Sequence, residues 1–487
     1  MPIPLSRKAL PSITGVTGPS YDATALTPGI VHFGVGNFHR SHQAVYLDRL
    51  FNAGRDHDFA LVGAGVMPGD AKMRDALSQQ DWLTTVVEQS ADESRAHITA
   101  PMVDFAPVGD TGAILSALAD PRIRIVSLTV TEGGYFLDAA GAFDAAHPAI
   151  VADGRSPNAP KTTFGLIAAA LAARRASGAT PFTVMSCDNI PHNGAVARRA
   201  VTGTARLSDP GLADWITANV AFPNGMVDRI TPATGERERA ICAEQFGIED
   251  RWPVFCEDFI QWVLEDTFPS GRPALDDVGV EFVADVSPYE LMKIRILNGG
   301  HATIAYPAGL LGIEYAHEAM AHPLVGAFLD KVEREEIIPV VPPVPNTALD
   351  AYFALIVRRF ANPKIGDTIR RLCLDGSNRQ PKFIVPSIAD RLSAGGSVNG
   401  LALVSALWCR YCAGTTDSGA PIAPNDPSWE SLTERAQAAR ENPLTWLDMR
   451  DVYDTVADAR AFRDAFANAL TALWSDGTAA TLERYLK

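Results

Sequence analysis

The strongest constraint on the fold is a strand, a glycine turn and a helix close to the start of the chain. The apolar run GIVHF leads into Gly34-Val35-Gly36, and the segment SHQAVYLDRLF that follows has apolar residues at helical spacing. A second apolar strand, residues 59–66, comes about 25 residues later, which is the length of one strand–helix–strand unit. Small residues at such a turn let backbone N–H groups approach a pyrophosphate. The segment predicts one half of a Rossmann-type dinucleotide-binding domain.

The predicted cofactor contacts lie in this turn and after the second strand. The third glycine of the usual fingerprint is missing, so the turn by itself is also compatible with an ordinary tight turn. Where an acid would bind the adenosine ribose, the chain continues with Met67-Pro68-Gly69; Asp70 is the nearest acid, and no arginine stands beside it. The residues alone leave the choice between NAD and NADP open. The expected cofactor-binding residues are Phe33, Gly34, Val35, Gly36, Asn37, Phe38 and Met67.

The remaining elements predict an α/β domain followed by a helical one. Strand-like runs at 82–88, 123–131 and 181–187 alternate with helical segments, and several are apolar on both faces, which indicates a mainly parallel sheet. After residue 287 nearly every periodic segment is helical. We expect a Rossmann-type, dinucleotide-binding domain over 1–285, an α-helical substrate and catalytic domain over 286–487, and the site between them.

The segment SPYELMKIRILNGGH, residues 287–301, carries the most chemistry. Ser287, Pro288 and Glu290 form the pattern of a helix start with a capping box. At 100° per residue the polar side chains fall within an arc of about 140°; they are Lys293, Glu290, His301 and Asn298. Two consecutive glycines inside a helix cost about 1 kcal/mol each relative to alanine, which indicates that something approaches the backbone closely. An exposed amphipathic helix is the alternative interpretation.

Together with a dinucleotide, these side chains favour hydride transfer at a carbinol carbon. Oxidation of an alcohol needs a base for the hydroxyl proton and donors for the developing oxyanion. A desolvated Lys293 can be the base, and the amides of Asn298 and Asn189 can donate to the oxygen without adding charge. His301 can then orient a substrate hydroxyl. This residue set requires no metal.

The composition limits the kinds of partner that we expect for this chain and indicates its cellular compartment. The 487 residues include 42 Lys and Arg against 57 Asp and Glu, a formal net charge of −15, and this disfavours nucleic acid or an anionic membrane as a partner. The six scattered cysteines include one CxxC, Cys409 and Cys412, in an apolar helical run that we interpret as a buried, reduced pair. The N-terminus lacks an apolar signal region and no apolar run is long enough for a membrane span. A cytoplasmic protein acting on small solutes, either a monomer or a small homo-oligomer, is expected.

Several separated motifs resemble the polyol-specific long-chain dehydrogenases. They are Lys293-x4-Asn298-x2-His301, SCDNIPHNG around Asn189, FPNGMVDRITP around Asp228 and FCEDFIQWVLED around Trp262, and the resemblance extends from the FGVGNFHRSH turn to RLCLDGSNRQPKF. It implies a two-domain, usually metal-free enzyme that interconverts D-mannitol and D-fructose with NAD and often accepts D-arabinitol or D-sorbitol.

The resemblance also implies a role for each matched residue. Lys293 would be the general acid/base, with Asn189 and Asn298 as oxyanion donors and His301 as a substrate-binding residue. The remaining roles are polyol contacts for Asp228, Arg371 and Arg379, and a position at the water channel serving the lysine for Glu290.

Two other functions stay open from the sequence. A uronate reductase acting on fructuronate or tagaturonate would need a basic pocket for a carboxylate, which Arg371, Arg379 and Lys382 could form. A Schiff-base lyase would use Lys293 as its nucleophile and would need no nicotinamide. The preferred polyol, the oligomeric state and the physiological direction are not encoded in any of these motifs.

Overall fold

The computed structural model describes residues 1–138 and 141–487 of the chain. They divide into two compact units, Met1–Ser287 and Pro288–Lys487. None of the helices in the described ranges combines the length and the apolar composition of a membrane span.

The first unit alternates strands and helices along the chain. Its strands are β1 (Ile3–Pro4), β2 (Pro28–Phe33), β3 (Ala60–Ala64), β4 (Thr84–Gln89), β5 (Ser94–Thr99), β6 (Met102–Phe105), β7 (Ile125–Leu128), β8 (Thr183–Ser186), β9 (Gly225–Asp228), β10 (Ile248–Glu249), β11 (Val254–Glu257), β12 (Gln261–Glu265) and β13 (Glu281–Val283). Its helices are α1 (Asn37–Ser41), α2 (Gln43–Asn52), α3 (Pro68–Ser78), α4 (Thr111–Ala119), α5 (Pro148–Arg155), α6 (Thr163–Ser177), α7 (Asn193–Arg206), α8 (Pro210–Asn219) and α9 (Glu236–Phe246).

A parallel five-stranded sheet in the order β6-β3-β2-β7-β8 confirms the predicted Rossmann-type fold. Neighbouring residues of β2 face opposite cores: Ile30 packs with α2, and Val31 packs with α4, α6 and α7. Both faces of the sheet are therefore covered, as in doubly wound proteins. The strand order reverses between β2 and β7, and ligands of open α/β sheets bind at the carboxyl ends of the strands at such a point.

One predicted strand and the last strand of the first unit lie outside this sheet. The run predicted at 82–88 forms β4, which pairs antiparallel with β5 and parallel with β11 in a separate sheet. The GVEFVAD segment forms β13, which pairs with β12 in a third sheet with β9. Periodicity identifies a strand but not its partners, because pairing depends on residues that are distant in sequence.

The second unit consists of helices, as predicted. They are α10 (Ser287–Met292), α11 (Gly299–Leu310), α12 (Ala316–Ala321), α13 (Pro323–Val332), α14 (Leu349–Phe360), α15 (Ile369–Leu372), α16 (Gly376–Phe383), α17 (Val385–Ser393), α18 (Asn399–Cys412), α19 (Trp429–Glu441), α20 (Arg450–Tyr453) and α21 (Arg460–Leu486). Helix α21 is kinked at Gly477, where φ is 82°. The CxxC pair lies buried in α18, and the six cysteines are free thiols.

Candidate active site

The helix predicted from Ser287 is not α-helical throughout. It begins at Ser287, whose backbone N–H donates to Asp285 Oδ1 over 2.9 Å, and it changes to a π-helix over Lys293–Asn298 before α11. In an α-helix, Lys293 and Asn298 would be about 140° apart. A π-helix pairs residue i with residue i+5, so residues five apart lie one turn above each other. The structure therefore corrects the predicted arc: the π segment brings the Lys293 and Asn298 positions onto the same face.

A second π-helix lies against Gly300, the second of the two glycines that follow Asn298. It covers Glu333–Ile337 and directly follows α13. A Cβ at position 300 would lie 3.2 Å from Glu333 Oε1, and one at position 299 would lie 3.8 Å from Ile337 Cδ1. The close approach predicted from the glycines is thus made, at least in part, by the protein's own second π segment.

The Glu333 side chain in this contact is unusual. It is 0 % exposed, and neither carboxyl oxygen has a hydrogen-bond partner among the described residues. Burial alone raises the pKa of this carboxyl well above its usual range, so the group stays protonated in the folded chain. A neutral acid therefore packs against the backbone that joins Asn298 to His301.

The predicted base, Lys293, and its neighbour Glu290 are both buried. Lys293 is 6 % exposed and Glu290 7 %, whereas Asn298 and His301 are half-buried. The His301 ring stacks on Phe360 of α14, with centroids 4.0 Å apart and planes inclined by 15°. Nothing in the sequence marks Phe360 as a neighbour of His301, because the two residues are far apart along the chain.

The two predicted basic contacts have protein partners within the second unit. The Arg371 guanidinium forms a bidentate ion pair with Asp367, with Nε donating to Oδ1 over 2.5 Å. Arg379 Nη1 donates to the backbone oxygen of Leu372 over 3.1 Å. The sequence analysis considers only the positive charges of Arg371 and Arg379 and does not predict the ion pair between Arg371 and Asp367. The pair is formally neutral.

In the first unit, the glycine turn after β2 has the geometry that the sequence predicts. Gly34 has a φ of +90°, and a Cβ there would lie 2.1 Å from the backbone oxygen of Thr129, so no other residue fits. Helix α1 then begins after Gly36, near whose Cβ position the nearest atom is 3.7 Å away. The space beside the Gly36 Cα is therefore open, while the Gly36 N–H itself donates to the Gly34 carbonyl over 2.6 Å.

Buried hydrogen bonds hold this turn against β7. His32 Nδ1 is hydrogen-bonded to Ser127 Oγ over 2.8 Å and Nε2 to Thr129 Oγ1 over 2.9 Å. Burial lowers the pKa of His32 to about 3, so the ring is neutral. Thr129 Oγ1 also lies 2.7 Å from the Gly34 carbonyl oxygen, to which it can donate.

The predicted cofactor-binding residues differ in which of their atoms are available to a ligand. Phe33 and Val35 are buried in the core, so only their backbone is available. The Asn37 amide donates to Pro232 O and Thr234 Oγ1, which makes its side chain a support for the turn. Phe38 is half-buried.

The end of β3 carries one exposed side chain and one acid. Met67 is 63 % exposed there. Asp70 Oδ2 accepts the Met67 N–H over 2.9 Å and lies 2.5 Å from where a Cβ of residue 65 would be. The Asp70 carboxylate thus folds back to the strand end, where the sequence shows no acid.

Asn189 stands at the tip of a tight turn after β8. The Ile190 N–H donates to the Asp188 carbonyl over 2.9 Å, while Asn189 itself is exposed between these two buried residues. Asp228 is buried at the end of β9. Its neighbour Arg229 makes an ion pair with Glu88 over 2.5 Å.

The structure thus brings Glu290, Lys293, Asn298 and His301 together on one helical element of the second unit, and places Gly34 and Asn189 at carboxyl ends of strands in the first. Within residues 1–138 and 141–487, no group of three or more His, Cys, Asp or Glu side chains is arranged to hold a metal ion.

Comparison with known proteins covers nearly the whole chain. Residues 28–277 match the mannitol dehydrogenase Rossmann domain, and residues 285–474 match the mannitol dehydrogenase C-terminal domain. The chain is 62 % identical over 472 residues to mannitol 2-dehydrogenase of Cereibacter sphaeroides, covering 97 % of this chain and 99 % of that protein. It is 42 % identical to mannitol 2-dehydrogenase of Aspergillus terreus, covering 96 % and 95 %.

Two solved structures have the same fold over almost their full length. The ternary complex of Pseudomonas fluorescens mannitol 2-dehydrogenase with NAD and D-mannitol superposes with a TM-score of 0.88 at 41 % identity and covers 99 % of each chain. A substrate-free D-sorbitol dehydrogenase gives 0.91 at 33 % identity, covering 98 % of this chain and all of the other. These matches and the geometry of both units show that the chain belongs to the mannitol dehydrogenase family.

Proposed function

We propose that this chain is an NAD-dependent mannitol 2-dehydrogenase that interconverts D-mannitol and D-fructose. The observation that carries the proposal is the 62 % identity to the Cereibacter sphaeroides enzyme over nearly the full length of both proteins. The similarity to a D-sorbitol dehydrogenase supports related polyols, such as D-sorbitol and D-arabinitol, as further substrates. Residues 1–285 would bind the dinucleotide, and residues 286–487 would supply the base and most substrate contacts.

The reaction follows from the residues on the Lys293 face. Lys293, which is buried, accepts the proton of the substrate's C2 hydroxyl, while the Asn298 and Asn189 amides donate hydrogen bonds to the oxygen as negative charge develops. The bound nicotinamide supplies the acceptor for the hydride that leaves the same carbon. In the reverse direction the protonated Lys293 returns the proton to the oxygen of fructose.

The other predicted residues would bind and support the polyol. His301, held by Phe360, orients a substrate hydroxyl, and Asp228, Arg371 and Arg379 contact further hydroxyls. Glu290 would serve proton exchange between Lys293 and water. The Gly34-to-Gly36 turn would hold the pyrophosphate, with Phe33, Val35, Asn37, Phe38 and Met67 around it.

The position of Asp70 supports NAD over NADP. Its carboxylate lies at the end of β3, where an acid can bind the ribose diol and repels a 2′-phosphate. Replacement by serine should lower the ratio of kcat/KM for NADH to that for NADPH by about tenfold, the effect of about 1.4 kcal/mol. Asp75→Ser, on the same helix, is the matched control. An unchanged ratio for Asp70→Ser would assign the preference to other residues.

The Arg371–Asp367 ion pair favours a neutral polyol over a uronate. A carboxylate substrate would have to compete with Asp367 for the guanidinium, which is already bidentate. The family membership also disfavours the Schiff-base lyase, because that chemistry would leave the glycine turn without a role.

An absorbance assay tests the proposed function, and a trapping experiment tests the lyase alternative. NADH and NADPH consumption are followed by absorbance with D-fructose, D-xylulose and D-fructuronate at neutral pH in the presence of a chelator. Rapid NADH oxidation with fructose is expected. Turnover with fructuronate alone would establish a uronate reductase, and borohydride trapping of a carbonyl substrate on Lys293 would establish the lyase.

The compartment and the assembly remain proposals of the same kind. We propose a cytoplasmic enzyme, since its six cysteines are buried free thiols. Light scattering after size exclusion will distinguish the monomer from a small homo-oligomer.

A further inference from the structure

We propose that Asp188 is a positioning residue for the reaction, which acts by holding the turn that presents the Asn189 amide, and that Asn193 supports the same turn. The inference deepens the proposed function and rests on it, because it takes Asn189 as a hydrogen-bond donor to the substrate oxygen. Neither Asp188 nor Asn193 was singled out by the sequence analysis, since both lie among buried residues beside the more conspicuous Asn189.

The turn places one exposed residue between two buried ones. Asp188 and Ile190 are 7 % and 8 % exposed, and the Ile190 N–H closes a three-residue turn on the Asp188 carbonyl. Such a tight turn has few internal bonds of its own. The bonds that hold Asp188 therefore help to fix the backbone that carries Asn189.

The Asp188 carboxylate joins this turn to the neighbouring strand end. Oδ2 accepts the N–H of Val130 over 3.0 Å, and Oδ1 accepts the N–H of Thr131 over 2.8 Å. The hydroxyl of Tyr135 donates to Oδ2 over 2.7 Å. These three bonds tie the carboxyl end of β8 to the segment that follows β7.

That segment contains a strained residue. Thr131 has φ 64° and ψ 167°, a conformation that β-branched residues almost never adopt. Such strain persists only where the surrounding structure imposes it. The Asp188 bond to the Thr131 N–H is a direct restraint on this residue.

Asn193 fixes the same turn from the opposite side. Its side chain is fully buried, and Nδ2 donates to the Asp188 carbonyl over 3.0 Å and to the Gly225 carbonyl over 2.8 Å. The Gly225 N–H donates back to Asn193 Oδ1 over 2.9 Å. Gly225 begins β9, the strand that ends at Asp228, so one amide links the Asn189 turn to the strand of a predicted substrate contact.

The chemical consequence is preorganisation. A donor stabilises a developing alkoxide only if it already points at the oxygen, because reorientation during the reaction would consume the stabilisation. A side chain at the tip of a free turn would not meet this condition. The bonds of Asp188 and Asn193 supply the rigidity that the turn lacks.

Asp188→Asn is the first test, because it keeps the shape but replaces one acceptor oxygen by a donor. We expect kcat with mannitol to fall roughly tenfold to a hundredfold, the scale of a misplaced catalytic group, while the Kd for NADH changes little. Asp153→Asn is the matched control: Asp153 is equally buried and accepts from Lys161 N, Thr162 N and Thr162 Oγ1. A loss of kcat in both variants that follows the loss of Tm would overturn the proposal.

A double-mutant cycle separates positioning from a general structural role. If Asp188 acts through Asn189, then Asp188→Asn should cost little in kcat once Asn189→Ala has removed the amide. Multiplicative effects of the two substitutions would contradict the proposal. Tyr135→Phe removes a single bond to Asp188 and should lower kcat in the same direction but less, which keeps the test available if Asp188→Asn folds poorly.

A readout without turnover separates this inference from the proposed function. Hydrogen–deuterium exchange over residues 186–193 should be faster in Asp188→Asn than in the wild type, while Asp153→Asn leaves it unchanged. Unchanged exchange in Asp188→Asn would overturn the positioning role. An absence of mannitol and fructose turnover in the wild type, with the exchange result as expected, would contradict only the function proposed above.

Discussion

The imidazole of His301 lies parallel to the ring of Phe360, with 4.0 Å between the centroids and 15° between the planes. The two residues come from different helices, α11 and α14, and the stack fixes the plane of a ring that sequence analysis assigns to substrate binding. A histidine that is held in one plane can present its nitrogen atoms to a hydroxyl without losing rotational freedom on binding.

Replacing Phe360 by leucine should therefore weaken polyol binding. Loss of a stack worth about 0.5–1.5 kcal/mol should raise KM for mannitol roughly twofold to tenfold, with a smaller change in kcat. The control is Phe353→Leu, since Phe353 is a buried phenylalanine of the same helix. If both variants raise KM equally, the effect comes from packing of α14 and not from His301.

Lys293→Met should abolish most turnover while leaving cofactor binding intact. Removal of a general base costs about 10²- to 10⁴-fold, and the predicted cofactor residues all lie in the first unit. Stopped-flow hydride transfer and NADH fluorescence measure the two quantities separately. Lys331→Met, which removes a surface pair with Glu335, should leave kcat within about twofold. A Lys293 variant with wild-type turnover would refute the assignment of the base.

Glu333→Gln should stabilise the protein, increasingly so as the pH rises. The raised pKa means that the folded chain keeps a proton that the unfolded chain releases above about pH 4.3, the ordinary pKa of a glutamate. Native stability therefore falls with increasing pH until the folded-state pKa is reached, and glutamine removes this loss. Tm measured from pH 5 to pH 8 should show a growing difference between the variant and the wild type.

Glu336 provides the contrast for that experiment. It lies in the same π segment, but its carboxylate accepts the N–H groups of Gly400 and Leu401, both over 2.8 Å, at the start of α18. Glu336→Gln should lower Tm, because a charged acceptor at a helix N-terminus is lost. A constant Tm difference for Glu333→Gln across the pH range would show that Glu333 is not a buried neutral acid.

Asp367→Asn should shift the substrate preference towards carboxylates. The substitution leaves the Arg371 guanidinium, which is about half-exposed, without its charged partner, so it can bind a substrate carboxylate. The ratio of kcat/KM for fructuronate to that for fructose should rise about tenfold, which corresponds to about 1.4 kcal/mol. If the ratio stays constant, Arg371 does not face the end of the substrate.

Several features of the fold were predictable because they depend on local pattern. The β2 strand, the Gly34 turn and the Ala-rich α6 follow from apolar periodicity and from the conformational needs of glycine, and the structure confirms them. The partners of β4 and β13 were not predictable, since the sequence of a short strand does not indicate which distant segment pairs with it.

The candidate site divides in the same way. The sequence by itself determined which side chains carry the chemistry. It shows an amine, an amide and an imidazole at helical spacing, in Lys293, Asn298 and His301. Only the tertiary structure decided their register, since a π-helix is less favourable than an α-helix in isolation and persists here against a second π segment. The partnerless Glu333 and the bonds of Asp188 to Thr131 likewise exist only where residues far apart in sequence pack together.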